Sequence, residues 1–66
     1  MIIKAQDGKI YDVYEIEWSD CTIKCKDNAD RRKKHTLGTY ENRNRACEVF
    51  KEIDAQKTEY YEMPEV

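Results

Sequence analysis

Apolar and polar side chains alternate in steps of two through most of the first forty residues, as they do in β-strands that bury one face. Residues 1–6 predict a short strand, and residues 9–18 predict a second one. The dipeptide Asp7-Gly8 between them is typical of a type I′ hairpin turn, in which both central residues have positive φ. The chain is therefore expected to begin with a tight antiparallel hairpin.

The second strand contains a break in its alternation. Tyr11 and Val13 fall in one phase, whereas Tyr14 and Ile16 fall in the other. Because side chains on a strand alternate with a period of two, a β-bulge or a short interruption near residues 12–14 must restore the phase. We expect two strand pieces here.

Two more strands complete the predicted sheet. The third strand follows a turn and alternates, with Ile23 and Cys25 among its inward side chains. Residues 27–34 are polar and rich in turn formers, so they predict the tip of a hairpin. Residues 35–40 return as the fourth strand, and Gly38 within it permits a bend or the close approach of another backbone.

The hydrophobic period changes after Glu41. Apolar residues now recur at spacings of three and four: Ala46, Val49, Phe50 and Ile53. This spacing predicts an amphipathic helix, with Asn42 as its N-cap. Residues 60–64 are expected to be extended, because Pro64 biases the preceding residue away from helical geometry.

These elements predict one α+β domain over residues 1–66: an antiparallel meander of about four strands, with the C-terminal amphipathic helix packed on one face and a short extended C-terminal segment. The predicted core consists of Ile3, Ile16, Ile23, Leu37, Ala46, Val49, Phe50 and Ile53. A chain of 66 residues can bury only a limited core, so association into a homodimer would add stability.

Composition indicates a cytoplasmic protein. The longest apolar run, Met1-Ile2-Ile3, is far too short to cross a membrane, and no secretory leader is recognisable. There are three cysteines, so a disulfide framework would leave one thiol over. Three reduced cysteines are typical of a cytoplasmic protein.

The net charge of −2 conceals a local basic stretch. Residues 24–34 carry six bases against two acids, and both flanking segments are acidic. The candidates for contact with an anion or a partner are Lys24, Lys26, Arg31, Arg32, Lys33, Lys34 and His35. A solvated hairpin tip is the alternative, because no aromatic residue interrupts the run and nucleic-acid binding usually needs a larger positive field.

Aromatic residues supply a second set of candidates. The chain has five tyrosines, one tryptophan and one phenylalanine, and tyrosine and tryptophan are enriched at interfaces. A sheet covered by one helix leaves its other face open to a partner or a second copy. The predicted interface residues are Tyr14, Trp18, Tyr60 and Tyr61.

Enzymatic and metal-binding signatures are weak. The chain contains no nucleophile elbow, no phosphate-binding glycine-rich loop and no His-Glu-x-x-His motif, and its single histidine limits acid–base chemistry. Cys21, Cys25, His35 and Cys47 have the ligand types of a zinc site, but they lack a Cys-x-x-Cys knuckle. We therefore expect no enzyme activity, no metal and no cofactor.

Three segments, "MIIKAQDGKI", "LGTYENRNRACEVFKEI" and "YYEMPE", resemble a family of small, largely uncharacterised proteins of Gram-positive bacteria and their phages. Members share an opening strand with a turn, a few meander strands, an LG-x-Y strand, an R-A-x-x-V-x-x-E-I helix and a YEMP-like end. The resemblance implies the same fold and a mobile-element origin, and it supplies no catalytic residue. Many members have a threonine cap followed by acids where this chain has Asn42.

Two hypotheses for function follow from these patterns. The first is a non-catalytic protein-interaction module, derived from a phage and acting on a host or defence protein, that binds a protein partner or a second copy through the open sheet face. The second is a nucleic-acid or nucleotide binder that uses the basic hairpin loop. Neither hypothesis requires a membrane.

Overall fold

A computed structural model describes residues 1–56 and 59–65. The elements in chain order are β1 (Ile2–Lys4), β2 (Ile10–Ser19), β3 (Thr22–Asp27), β4 (Lys34–Thr39), α1 (Arg43–Gln56) and β5 (Tyr60–Glu62). The five strands form one sheet in the order β4-β3-β2-β1-β5. The predicted α+β fold is confirmed, and the extended C-terminal segment is a fifth strand.

Strand β5 makes the sheet mixed. It pairs with β1 in parallel, with Ile2 opposite Tyr60, whereas every other strand pair in the described chain is antiparallel. The backbone N–H of Ile2 donates to the carbonyl of Glu59 at 2.8 Å, and that of Met63 donates to the carbonyl of Lys4 at 2.9 Å. In chain order α1 lies between β4 and β5, so it spans the distance between the two opposite edges of the sheet.

The turn between β1 and β2 is not the predicted type I′ turn. Gly8 has a φ of 90°, but Asp7 has negative φ, since Asp20 is the only non-glycine residue with positive φ in the described chain. The N–H of Gly8 donates to the Ala5 carbonyl at 2.9 Å, and the N–H of Ala5 donates to the Lys9 carbonyl at 2.8 Å. This is a three-residue loop in which only the last position needs glycine.

The predicted bulge in β2 is confirmed. The register shifts between Val13 and Glu15, which lie opposite Asp27 and Lys26 on β3. The strand continues through the bulge, so the two expected pieces are one strand of ten residues. As a result, apolar side chains from both phases pack against the same core: Tyr11, Val13, Ile16 and Trp18.

The core lies between the sheet and one face of α1. Six of the eight predicted core residues are buried, while Ile16 and Phe50 are only partly buried at its margin. The helix contributes Ala46, Val49 and Ile53. Among the described residues, five more hydrophobic side chains are buried that the core prediction did not include: Ala5, Cys25, Tyr40, Tyr61 and Met63.

One polar residue, Gln6, forms hydrogen bonds to distant parts of the fold. Its backbone N–H donates to the Leu37 carbonyl at 2.9 Å, and its Oε1 accepts the N–H of Thr39 at 2.9 Å. Its Nε2 donates to the Pro64 carbonyl at 3.0 Å. A Cβ added at Gly38 would lie 3.0 Å from Gln6 Cδ, so what approaches this glycine closely is a side chain and not the expected backbone. These contacts connect the end of β1 to the free edge of β4.

The start of α1 agrees with the predicted cap. The backbone N–H of Arg45 donates to Oδ1 of Asn42 at 2.9 Å, as expected for an N-cap. The guanidinium groups of Arg43 and Arg45 each lie 5.9 Å from the centre of an aromatic ring, those of Trp18 and Tyr40 respectively. Within the described residues, no helix is both long enough and apolar enough to span a bilayer.

Candidate functional site

The helix covers one face of the sheet, and the opposite face is exposed. Because Ile23 and Cys25 are buried, Thr22, Lys24 and Lys26 must point to the other side of β3. The registers of the neighbouring strands extend this exposed surface, here called the open face. Besides those three residues, its members are Ile2, Lys4, Ile10, Asp12, Glu15, Glu17, Lys34, Thr36, Tyr60 and Glu62.

An apolar patch lies on the part of the open face formed by β1, β2 and β5. Ile10 is 60% exposed and Tyr60 is 48% exposed. Ile2 lies between them, paired with Tyr60 on one side and with Asp12, two residues from Ile10, on the other. We call Ile2, Ile10 and Tyr60 the apolar patch.

The part of the open face formed by β2, β3 and β4 carries alternating charges. Glu15 lies opposite Lys26, and Glu17 lies opposite Lys24. The Nζ of Lys34 is 2.9 Å from Oε1 of Glu17, and this hydrogen bond holds the pKa of the Glu17 carboxyl below its usual value. This region therefore neutralises much of its own charge.

The basic loop, residues 28–33, has a defined conformation. Asp27 Oδ1 accepts the N–H of Asp30 at 2.9 Å, and Asp30 Oδ1 accepts the N–H of Arg32 at 3.0 Å. The N–H of Asn28 donates to the carbonyl of Asp12 at 2.9 Å. The loop is thus fastened near the start of β2, on the side away from β1.

The cations of this region differ in how they are paired. Arg31 stacks over the ring of Tyr14, with Cζ 3.9 Å from the ring centre, and donates to Oδ1 of Asn28 at 3.0 Å. Arg32 lies near Asp30 and Lys34 near Glu17, as described above. Within residues 1–56 and 59–65, four cations of this group form no ion pair: Lys24, Lys26, Arg31 and Lys33. Lys24 and Lys26 nevertheless lie opposite Glu17 and Glu15, so the positive charge that faces no carboxylate is concentrated on the loop, at Arg31 and Lys33.

His35 is separated from the other predicted contact residues. It pairs with Cys25 across the strands, so its side chain points to the helix side of the sheet. Its ring stacks on Tyr11 with centroids 4.6 Å apart, and Nε2 is 3.2 Å from Oδ2 of Asp27. Sequence reasoning did not predict this cluster of three residues, because the pairing of distant strands brings it together.

The predicted interface aromatics fall into two groups. Tyr60 belongs to the apolar patch, and Tyr14, at the bulge, is 50% exposed. Trp18 lies on the helix side, where its ring is 6.3 Å from that of Phe50. Tyr61 is 6% exposed and belongs to the core. The expectation that Trp18 and Tyr61 lie on the open face is therefore wrong.

One of the three cysteines lies in the core. Burial raises the pKa of the Cys25 thiol to about 11, so it is a protonated core side chain at neutral pH. Cys21 and Cys47 are half-buried, and all three thiols are free. In the described chain, no three side chains among histidine, cysteine, aspartate and glutamate are arranged to hold a metal ion.

Comparisons with known proteins give no assignment. The chain matches no protein-family model, no curated protein and no solved structure. The resemblance to proteins of Gram-positive bacteria and phages therefore stays a prediction.

Proposed function

We propose that this protein is a non-catalytic interaction module that binds another protein through the open face of its sheet. The exposure of Ile10 and Tyr60 beside Ile2, on the face away from the helix, is the observation on which the proposal rests. A single exposed apolar side chain is ordinary, but neighbouring exposed apolar residues surrounded by charged ones are typical of an interaction surface.

The state of the sheet edge also favours docking on the face. At β4, the carbonyl of Leu37 and the N–H of Thr39 already bond to Gln6. A partner strand that paired with β4 would have to break both hydrogen bonds, one to the backbone and one to the side chain of Gln6. Side-chain contacts with the open face need no such rearrangement.

The cellular setting is part of the same proposal. We place the protein in the cytoplasm, which agrees with its three free thiols, one of them buried. The sequence resemblance supports a phage or prophage origin, and a host or defence protein is then the expected partner. A second copy of the chain is the other occupant that the open face could take.

Affinity purification with quantitative mass spectrometry tests the proposal. The wild-type chain is compared with Ile10→Glu, which adds a charge to the apolar patch, and with Asn44→Glu, which adds the same charge to an exposed position of α1. We expect proteins enriched by the wild type and by Asn44→Glu to be lost with Ile10→Glu. Enrichment unchanged by Ile10→Glu, or no enrichment above background, would contradict the proposal.

Sedimentation of the same three proteins identifies a homodimer, which Ile10→Glu should dissociate.

Binding of an anionic ligand by the basic loop is the second candidate. It is favoured by Arg31, which stacks 3.9 Å over Tyr14 and so places an aromatic ring beside the cations. Fluorescence polarisation with a labelled single-stranded oligonucleotide and with a labelled nucleotide tests it. Binding should fall steeply with salt and be lost in the Arg31→Ala, Lys33→Ala double variant. Absence of binding by the wild type at low salt removes this candidate.

A further inference from the structure

We infer that the apolar patch and the basic loop form one continuous surface, and that this surface fits an extended acidic segment of a partner protein that also carries an apolar side chain. The inference depends on the function proposed above and specifies the chemistry of the partner.

Asp12 shows that the two regions are adjacent. On one side it lies opposite Ile2 in the register of β1 and β2. On the other side its carbonyl accepts the N–H of Asn28, the first residue of the basic loop, at 2.9 Å. Two strand spacings, about 10 Å, therefore separate Ile2 from the loop. An extended peptide covers that distance with about three residues.

The charge distribution selects an acidic segment. The whole chain carries −2, yet residues 24–34 carry six bases against two acids. Arg31 and Lys33, at the accessible tip, form no ion pair in the part of the chain that the structure describes. Arg31 is also held in position by Tyr14 and Asn28, so less side-chain entropy is lost when it meets a carboxylate. Carboxylates of a partner are therefore attracted to the loop, whereas the acidic parts of the surface repel them.

The same arrangement disfavours a nucleic acid. A phosphate backbone that ran from the loop across the sheet would meet Glu15 and Glu17, which lie opposite the lysines of β3. Affinity for nucleic acid grows with the number of phosphates that are neutralised in a row. A short acidic segment needs only the loop cations at one end and can place its apolar residue beside Ile10 at the other.

The Asp12 side chain is 59% exposed and lies between the patch and the loop, where an acidic ligand must pass. Its Oδ1 is 4.0 Å from the N-terminal ammonium of Met1, so the carboxylate both repels such a ligand and offsets the attraction of that ammonium. Replacing Asp12 with asparagine, which keeps the size of the side chain, should therefore tighten binding rather than weaken it.

A displayed library of random eight-residue peptides, selected on the wild-type chain, tests the inference. We expect the enriched peptides to contain acidic residues about three positions from an apolar one. For a synthetic fluorescein-labelled member of the selected peptides, Ile10→Ser and Lys33→Glu should each raise the dissociation constant about tenfold. Asp12→Asn should lower the dissociation constant about threefold. Lys51→Glu, the same charge reversal on the exposed side of α1, should leave it unchanged.

Several outcomes would overturn the inference. They are enriched peptides without acidic residues, no enrichment at all, or binding that Asp12→Asn weakens. Tight binding of a single-stranded oligonucleotide that depends on Lys33 but not on Ile10 would overturn it as well. If proteins captured from cells depend on Ile10 while the selected peptides lack acids, the proposed function stands and only the partner class is wrong.

Discussion

The side chain of Gln6 accepts the backbone N–H of Thr39 at 2.9 Å, although the two residues are 33 positions apart in the chain. The same side chain donates to the carbonyl of Pro64 at 3.0 Å. One glutamine thus joins the loop after β1, the end of β4 and the C-terminal segment. In a chain of 66 residues, where buried apolar area is limited, hydrogen bonds that join distant segments add to what holds the fold together.

Removing this junction should destabilise the protein. Gln6→Ala deletes the part-buried hydrogen bond to Pro64 and the exposed one to Thr39, whose N–H can then bond to water, so we expect the free energy of unfolding to fall by about 1–2 kcal/mol. Gln6→Glu keeps the acceptor for Thr39 but cannot donate to Pro64 when ionised, so its stability should be intermediate. Urea unfolding followed by circular dichroism measures both. Wild-type stability in Gln6→Ala would refute the role assigned to this residue.

Gly38 should be intolerant of a side chain. An added Cβ would lie 3.0 Å from Gln6 Cδ and 3.2 Å from the hydroxyl of Tyr40. Gly38→Ala should therefore lower the free energy of unfolding by about 1–3 kcal/mol through overpacking. In the Gln6→Ala background the same substitution should cost less, because one of the two neighbours has been removed. Additive effects in this double-mutant cycle would show that the two residues do not interact.

The helix cap makes a separate prediction. Asn42 Oδ1 accepts the N–H of Arg45 at 2.9 Å, so Asn42→Ala should reduce stability by about 1 kcal/mol. Asn44→Ala is the matched control, since Asn44 is exposed within the first turn and alanine is a better helix former. Thermal unfolding should show a lower midpoint for Asn42→Ala alone. Equal losses in both variants would argue against the cap.

Alkaline pH should destabilise the fold. Burial raises the pKa of the Tyr61 phenol, with a further contribution from its hydrogen bond to Glu52, and burial raises the pKa of Cys25 to about 11. The folded chain holds these protons more tightly than the unfolded chain does. The stability they contribute is therefore complete below the unfolded pKa values and is lost as pH rises, starting near pH 9 for the thiol.

Urea unfolding between pH 8 and pH 11 tests this dependence. In Tyr61→Phe one of the titrating groups is gone, so the decline of the free energy of unfolding with pH should be shallower than in the wild type. The substitution also removes the hydrogen bond to Glu52 and so lowers stability already at neutral pH, and the comparison therefore uses the slope with pH and not the absolute stability. A pH dependence identical to that of the wild type would mean that Tyr61 ionises as easily in the folded chain as in the unfolded one.

Local patterns predicted the elements well, because strand alternation and helical spacing are properties of neighbouring residues. The phase conflict between Val13 and Tyr14 was enough to predict the bulge, and Asn42 was recognisable as a cap. The Asp7-Gly8 turn was assigned to the wrong type, since one dipeptide is compatible with both a two-residue and a three-residue loop.

Contacts between distant segments could not be predicted from these patterns. The pairing of β5 with β1 and the contacts of Gln6 join the two ends of the chain, and no local period indicates which strands meet. For the same reason Tyr61 was expected at an interface. Its alternation with Met63 was a usable sign that both side chains point to the core.

Site-specific photocrosslinking tests the role of the open face most directly. Benzoylphenylalanine is introduced at position 10, on the apolar patch, and in a separate variant at position 51, on the exposed side of α1, in cells that express the chain. We predict a discrete crosslinked product at position 10 and none at position 51. A product from position 51 alone, or none from position 10, would contradict the claim that the sheet face away from the helix is the binding surface.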